Sequence, residues 1–220
     1  MRGKATPVAR CLAAFVVCLI SFSGWAETFE ETKELAEQGD ADAQYNLGMM
    51  FYDGNGVHHH PFRGKVQRIP GVVEAEHYDE GPAGIAYLDV DKENRGAPYR
   101  QDTQVDIEKR PDASNGHGIG WVRAGEWLLY TVDIKKAGHY LLEIPVASNR
   151  SGGIFHIEFD GKDVTGPITI PDTGGWNVLK TLNIDGVKLK KGRQVMKLAM
   201  DQNGENRGIG DIDLIRFIEE

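Results

Sequence analysis

The sequence has almost no cysteine, with Cys11 and Cys18 as its two examples in 220 residues. Both lie in the apolar run 11–22, which follows three basic residues and leads to Ala26. This order of basic, apolar and small residues is typical of a secretory leader. We expect cleavage after Ala26, so that the mature chain, exported to the periplasm or the cell exterior, contains no cysteine. A disulfide-free exported domain must be stabilised by its packed core or by a metal ion.

The sequence also lacks a long hydrophobic run and an excess of positive charge. The apolar run is shorter than the roughly 18 residues of a membrane-spanning helix, so we expect no membrane association after cleavage. Lys and Arg number 25 against 33 Asp and Glu, which gives a formal net charge of −8. Removal of a leader with three basic residues and no acid makes this about −11. Nucleic acid and anionic membrane surfaces are therefore excluded as partners.

Residues 27–57 predict a short helical hairpin, with one helix over 30–38 and a second over 41–52. The small residues and the Gly39-Asp40 turn resemble a single Sel-type repeat, a tetratricopeptide-like helix pair. Such repeats bury their apolar faces against neighbouring copies, and the sequence holds no second copy. The pair must therefore pack on the next domain, bind a protein partner, or remain loosely ordered. Residues 58–65, which include three adjacent histidines, predict a solvated linker.

Residues 66–220 are rich in glycine-containing turns and short runs of alternating polarity. Phe155, Ile157 and Phe159, for example, share one face of a predicted strand, with His156 and Glu158 on the other. The predicted strands are 72–76, 126–134, 139–147, 155–159, 163–170, 178–184, 194–200 and 209–218. Strands of this length and spacing predict a mainly β fold, an antiparallel β-sandwich.

A series of sequence blocks in this region resembles family 6 of the carbohydrate-binding modules. The blocks are Glu74 to Tyr78, Tyr87 to Asp89, Asn94 to Gly96, Tyr99-Arg100, Val105 to Glu108, Gly120 to Val122, Gly125 to Val132, Gly138 to Ser148, Pro171 to Trp176 and Asp211 to Phe217. The resemblance implies a jelly-roll sandwich without catalytic activity. It also implies a sugar site among the loops at one end, where two aromatic rings hold a sugar unit.

Trp176 follows two glycines between two predicted strands, off their alternation, so we expect an exposed ring on which a sugar can stack. The resemblance makes Tyr87 the second ring, although a core position is an alternative for both side chains. We expect Trp127 in the core, and Trp121 in the core or at an edge of the sandwich. The sequence therefore predicts a clamp formed by Tyr87 and Trp176.

Two acidic residues are the expected polar partners of the sugar. Glu80 lies where related modules carry an acid that accepts hydrogen bonds from hydroxyls, with a solvated loop position as the alternative. Asp211 stands where the family tends to have asparagine. An ionised aspartate can only accept hydrogen bonds, so we expect Asp211 to bind hydroxyl groups and to disfavour an anionic sugar.

Three further acids form a predicted calcium site. Glu74 and Glu76 are expected on one face of a strand, and Asp213 lies on the last strand, which the fold brings beside the first. Clustered carboxylates suit a hard cation such as calcium. The resemblance implies a structural calcium, with backbone carbonyls around Asn94 and Arg95 completing its shell. The alternative is three solvated acids.

The function predicted from these observations is non-catalytic binding of a β-linked polysaccharide or oligosaccharide outside the cytoplasm. Two alternatives remain open. One is a small glycan-active enzyme that uses Asp211 and Glu80 as paired carboxylates. The other is an adaptor that binds a protein partner through the helical pair.

Overall fold

The computed structural model describes residues 29–53 and 58–220, so the predicted leader lies outside the described residues. Two helices come first, α1 (Phe29–Glu37) and α2 (Ala41–Asp53), and they pack against each other. Asp40 caps α2, since its Oδ1 accepts a hydrogen bond of 2.8 Å from the Ala43 amide. None of the helices in the described residues is long and apolar enough to cross a membrane.

Fourteen strands follow within residues 58–220. They are β1 (Gln67–Ile69), β2 (Gly71–Glu74), β3 (Tyr87–Leu88), β4 (Ile107–Lys109), β5 (His117–Ile119), β6 (Trp127–Ile134), β7 (Gly138–Ser148), β8 (Ile154–Phe159), β9 (Lys162–Asp163), β10 (Ile168–Thr169), β11 (Gly175–Leu189), β12 (Gly192–Gln202), β13 (Asp211–Ile212) and β14 (Leu214–Glu219). Two 3-10 turns lie at Phe62–Gly64 and Ala75–His77.

The strands form two sheets. The first has the order β1-β6-β12-β8-β10, with β3 added to β6 and β9 added to β8. The second has the order β2-β14-β7-β13-β5-β4, with β11 added to β7. Among the described strands, all pairs are antiparallel except β1 with β6. This architecture confirms the mainly β sandwich with a short helical pair before it.

The core contains side chains from both sheets. Tyr130 and Phe155 from the first sheet, and Ile144 and Phe217 from the second, are fully or almost fully buried in one hydrophobic cluster. Alternation along each strand accounts for this, because the core-facing residues are apolar and their neighbours are polar.

Three predicted strands end early or are divided, among them the strand expected over 209–218, which becomes β13 and β14. The strand expected over 72–76 ends at Glu74, where the 3-10 turn begins. The strand expected over 163–170 is divided into β9 and β10. Asp163 causes this division, since its Oδ1 accepts hydrogen bonds from the Thr165 and Gly166 amides and so closes a turn.

The segment 58–65, expected to be a solvated linker, lies against the sandwich. His60 and Glu80 exchange two backbone hydrogen bonds of 2.9 and 2.8 Å. The Phe62 ring stacks on His77, with ring centroids 4.6 Å apart. These contacts make the segment part of the β domain's surface, a result that its composition does not predict.

Candidate functional site

An open cavity of about 370 Å³ lies beside β4, β11 and β13, and the loop after β5 completes its wall. Two large aromatic side chains, Trp121 and Trp176, belong to its wall, together with the carboxyl groups of Glu108 and Asp211. The indoles are 49% and 42% exposed. Two exposed indoles beside carboxyl groups form a surface that can cover an apolar ring face and bind the polar groups at its edge.

The backbone presents Trp121 to the cavity. This residue follows β5 and has a φ of +53°, a left-handed conformation that is a strained outlier for a bulky side chain. Strain of this kind persists where the surrounding structure holds it, and it is concentrated at functional sites. We therefore regard Trp121 as a functional side chain.

Trp176 occupies a bulge near the start of β11. Gly175 pairs with Ser148 on β7 and the next paired residue is Lys180, which pairs with Val146, so residues 176–179 bulge out of register. Gly174 precedes the bulge with a φ of +95°, in the region that favours glycine. The ring therefore leaves the regular pleat, in agreement with its predicted exposure.

Arg110 supports the floor of the cavity. It is 2% exposed, and its Nη2 donates a hydrogen bond of 2.6 Å to the carbonyl oxygen of Trp176. Its Nη1 lies 2.7 Å from Asp211 Oδ2 and 2.9 Å from Glu108 Oε1, and its Nε and Nη2 bind both oxygens of Asp112. One guanidinium thus fixes the bulge and two carboxyl groups of the cavity.

The charges around Arg110 are unequal, with three carboxylates to one guanidinium. Burial, and then the negative charge of Glu108, raise the pKa of Asp211 above its usual range, against the opposing effect of Arg110. A protonated Asp211 offers a donor as well as acceptors, as an asparagine amide does. The raised pKa therefore reduces the chemical difference between this aspartate and the asparagine expected from the family.

Tyr87 does not face this cavity, which corrects its prediction as the second ring. It is 5% exposed and lies in the core, with its ring edge-on to Tyr78 at a centroid distance of 5.5 Å. The cause is the pairing of β3 with β6, which turns Tyr87 inward and Leu88 outward. Trp121 takes the place at the cavity that the sequence analysis gave to Tyr87.

Glu80 is also away from the cavity. Its Oε1 accepts a hydrogen bond of 3.1 Å from the Arg63 amide, and its Oε2 lies 3.3 Å from His60 Nε2. It contacts the 58–65 segment and does not share the cavity with Asp211. The two acids therefore do not form a pair.

The three acids of the predicted calcium site lie close to one another. Ser114 Oγ donates to Glu74 Oε2 at 3.0 Å and to Asp213 Oδ1 at 3.3 Å, and Asn115 Nδ2 donates to Glu76 Oε1 at 2.5 Å. Glu76 belongs to the 3-10 turn and not to the strand of Glu74. The turn and the loop after Arg110 bring the acids together, in place of the shared strand face that we expected.

Glu76 is the most constrained of the three. Its side chain is fully buried, and its Oε2 has no hydrogen-bond partner. Burial raises its pKa to about 7 and also raises the pKa values of Glu74 and Asp213. A buried carboxylate oxygen without a hydrogen-bond partner is a ligand of the kind that a hard cation prefers.

Arg95 lies in a different set of contacts. Its amide donates to the Asp106 carboxylate, and its guanidinium is 3.3 Å from Asp91. In residues 29–53 and 58–220, no group of three or more His, Cys, Asp and Glu side chains is arranged to hold a metal ion. To bind one, Glu74, Glu76 and Asp213 would have to move closer to a common point and be joined by further oxygen ligands.

Known proteins resemble this chain in sequence and in fold. Residues 96–219 match the family "Carbohydrate binding module (family 6)". The C-terminal module of that family from a laminarinase of Zobellia galactanivorans is 26% identical, with a TM-score of 0.50 over 67% of this chain and 98% of the module.

Two longer proteins are also similar. The alpha subunit of clotting factor G from Tachypleus tridentatus is 29% identical over 111 residues, which are 48% of this chain and 16% of the subunit. A β-agarase from Microbulbifer thermotolerans is 26% identical over 125 residues, 56% of this chain and 28% of the agarase. The chain thus spans a minor part of both relatives. Because the family match covers more than half of its 220 residues, the chain belongs to family 6 of the carbohydrate-binding modules.

Proposed function

We propose that this protein is an exported, non-catalytic binding protein that holds a β-linked polysaccharide or oligosaccharide between Trp121 and Trp176. The observation that carries the proposal is the pair of exposed indoles at one cavity. One face of a pyranose ring is a patch of C–H groups that an aromatic face can cover, while polar groups orient the hydroxyls. In this proposal Asp211 and Glu108, which line the cavity, bind the hydroxyl groups of the sugar.

The arrangement of the two carboxyl groups supports binding without hydrolysis. A glycosidase places two carboxyl groups on opposite sides of the bond that it cleaves. Here Asp211 and Glu108 both contact the same nitrogen of Arg110 and also hydrogen-bond to each other, so no scissile bond fits between them. Glu80, the other candidate for a catalytic pair with Asp211, is bound to the 58–65 segment.

The relatives indicate which ligands to test first. By name, one is a laminarinase and another a β-agarase, so laminarin and agarose are the first ligands, with xylan and cello-oligosaccharides beside them. The predicted leader over 1–26 is consistent with export.

We further propose that Glu74, Glu76 and Asp213 hold a structural calcium ion. The buried Glu76 Oε2 without a partner is the observation that supports it. A bound calcium ion would neutralise the three acids. The acids themselves connect the end of β2 with the residue between β13 and β14. Carboxylate oxygens are the ligands that calcium prefers.

Calorimetry and affinity electrophoresis against these glycans test the binding function. Trp121→Ala and Trp176→Ala should each weaken binding roughly fivefold to 150-fold, since stacking contributes ~1–3 kcal/mol per aromatic platform. Tyr87→Phe is the matched control, because the buried ring does not face the cavity, and it should bind as the unmodified protein does. Equal binding by the Trp121 variant, or no binding to any glycan, would refute the proposal. Release of reducing ends would refute the absence of catalysis.

A protein-binding role for the helices is a second candidate. Leu35 and Tyr45 on the helical pair are 39% and 68% exposed, which leaves apolar surface open to a partner. Pull-downs with residues 27–57 deleted test it, and an unchanged set of captured proteins would exclude this role.

A further inference from the structure

A second cavity of about 260 Å³ adjoins the first at Trp176. Its lining residues are Asn149, Arg150, Trp176, Glu205, Asn206 and Arg207. Trp176, Asn206 and Arg207 line both cavities. A sugar chain that stacks on Trp176 in the first cavity therefore has its next unit within reach of the second.

The charges in this second cavity are not neutralised by the protein. None of the ion pairs within residues 29–53 and 58–220 includes Arg150 or Arg207. By contrast Arg123, which lines the first cavity, lies 3.1 Å from Asp91. Two guanidinium groups without carboxylate partners at one cavity give it a positive character, in a protein whose net charge is −8.

The backbone holds both arginines in defined positions. Arg150 and Arg207 have φ values of +77° and +66°, which ordinary side chains rarely adopt. The Arg150 amide donates to Asp172 Oδ1 at 3.2 Å, and the neighbouring Asn206 donates from Nδ2 to Ser148 Oγ at 2.8 Å. Such fixed backbone lowers the cost of ordering the side chains around a ligand.

We propose that this second cavity binds an acidic substituent, a carboxylate or a sulfate group, on the sugar next to the one held between the two tryptophans. The proposal rests on the binding function proposed above. A guanidinium matches the oxygens of such groups with paired N–H donors. Glu205 on the same wall opposes the anion and sets a limit on its affinity.

Asp211 does not prevent binding of an acidic sugar in the second cavity, although its charge alone predicts that it disfavours an anionic sugar. Asp211 and Glu108 line the first cavity and are not among the residues around the second. Both contact Arg110, which compensates part of their charge. The selectivity for a neutral or an acidic sugar thus depends on Arg150, Arg207 and Glu205.

Calorimetry with laminarin and agarose, each in neutral, carboxymethylated and sulfated form, tests the proposal on the full chain. At low ionic strength the acidic form of the backbone that binds should have a Kd roughly fivefold to tenfold lower than the neutral form. The advantage should decrease at high salt, because screening weakens exposed charge pairs. The carboxymethylated and sulfated forms separate the two kinds of anion.

Three variants assign the effect to this cavity. Arg150→Gln and Arg207→Gln should each remove most of the preference for the acidic form, because each weakens binding of the acidic form more than binding of the neutral one. Glu205→Gln should strengthen binding of the acidic form about threefold, since it removes an opposing charge. Trp176→Ala should weaken binding of both forms as it does in the test of the binding function, whereas non-specific attraction of polyanions would be unaffected.

The outcomes separate the two proposals. If no form of either glycan binds, the binding function itself fails. If the neutral form binds through Trp176 but the acidic form binds no better, or Arg150→Gln weakens both forms equally, the acidic subsite is refuted. An affinity for the acidic form that Trp176→Ala leaves unchanged would also refute it.

Discussion

Replacing the buried Glu76 by glutamine should stabilise the calcium-free protein at neutral pH. Burial raises the pKa of Glu76 from 4.5 to about 7, so the folded state binds this proton more tightly than the unfolded chain does. The stabilisation from proton binding is fully present below the unfolded pKa and is lost as the pH rises through about 7. With 1.36 kcal/mol per pKa unit, the loss is roughly 3 kcal/mol.

A glutamine at this position cannot ionise and can still accept the hydrogen bond from Asn115. In excess EDTA we expect the Glu76→Gln variant to have a free energy of unfolding up to roughly 3 kcal/mol higher than that of the unmodified protein at about pH 8. At about pH 4.5 the two free energies of unfolding should differ little. Urea unfolding, followed by tryptophan fluorescence across this pH range, measures the difference. Glu143→Gln on the surface, where the carboxylate contacts Arg216, is the control and should change stability by less than about 0.5 kcal/mol.

Calcium should make the unmodified protein more stable than the Glu76→Gln variant, which reverses their order of stability in EDTA. The unmodified protein gains stability with calcium concentration by mass action, whereas the variant lacks one of the three carboxylate ligands and gains less. If the variant is less stable than the unmodified protein at pH 8 in EDTA, the argument from the buried carboxylate is wrong. If calcium stabilises both equally, Glu76 is not a ligand.

Three other substitutions test the cavity and the core. Arg110→Met should lower the free energy of unfolding by ~3–5 kcal/mol, because it leaves buried carboxylates without a counter-ion. It should also abolish glycan binding. A free energy of urea unfolding within about 1 kcal/mol of the unmodified protein would contradict this. Asp211→Asn should keep glycan affinity within about twofold at neutral pH and remove the change in affinity that calorimetry detects as the pH rises through the raised pKa of Asp211; a tenfold loss would show that the ionised form is required. Tyr130→Phe should cost ~1 kcal/mol in thermal or urea unfolding, since the buried hydroxyl donates to the Ala75 carbonyl, and an unchanged stability would show that this hydrogen bond contributes nothing.

The sandwich could be predicted because strand alternation is a local property. Phe155, Ile157 and Phe159 face the core on β8 as their spacing indicates. Strand ends were predicted less well, because they depend on side-chain hydrogen bonds such as those of Asp163. A polar residue in an alternating run does not reveal which amides it will bind.

The cavity could be predicted in part, because Trp176 follows two glycines that interrupt its strand. The sequence predicts Tyr87 at the cavity and Trp121 in the core or at an edge of the sandwich, since the direction of each ring depends on strand pairing that the sequence does not display. Trp127 is expected in the core, but it is partly exposed, with the Lys197 ammonium 5.5 Å from its ring. Alternation along a strand therefore does not settle where a tryptophan ring lies.

Arg110 was missed altogether. Its partner Asp211 is 101 positions away along the chain, and Trp176 is 66 positions away. Arginine is rarely buried unless it is paired, so an isolated arginine in a sequence is expected on the surface. Acids two positions before and two positions after Arg110, at Glu108 and Asp112, are the signal that could have identified it.

The bulge in β11 separates the residues that pair with β7 from the residue that lines the cavity, Trp176. Pairing with β7 resumes at Lys180, so residues 176–179 can change in sequence without altering the register of the sheet. Trp176, Asn177 and Val178 are exposed there. This four-residue unit is therefore a natural place to randomise when a module with a new ligand is wanted, because selection would act on the ring's position while the core stays constant.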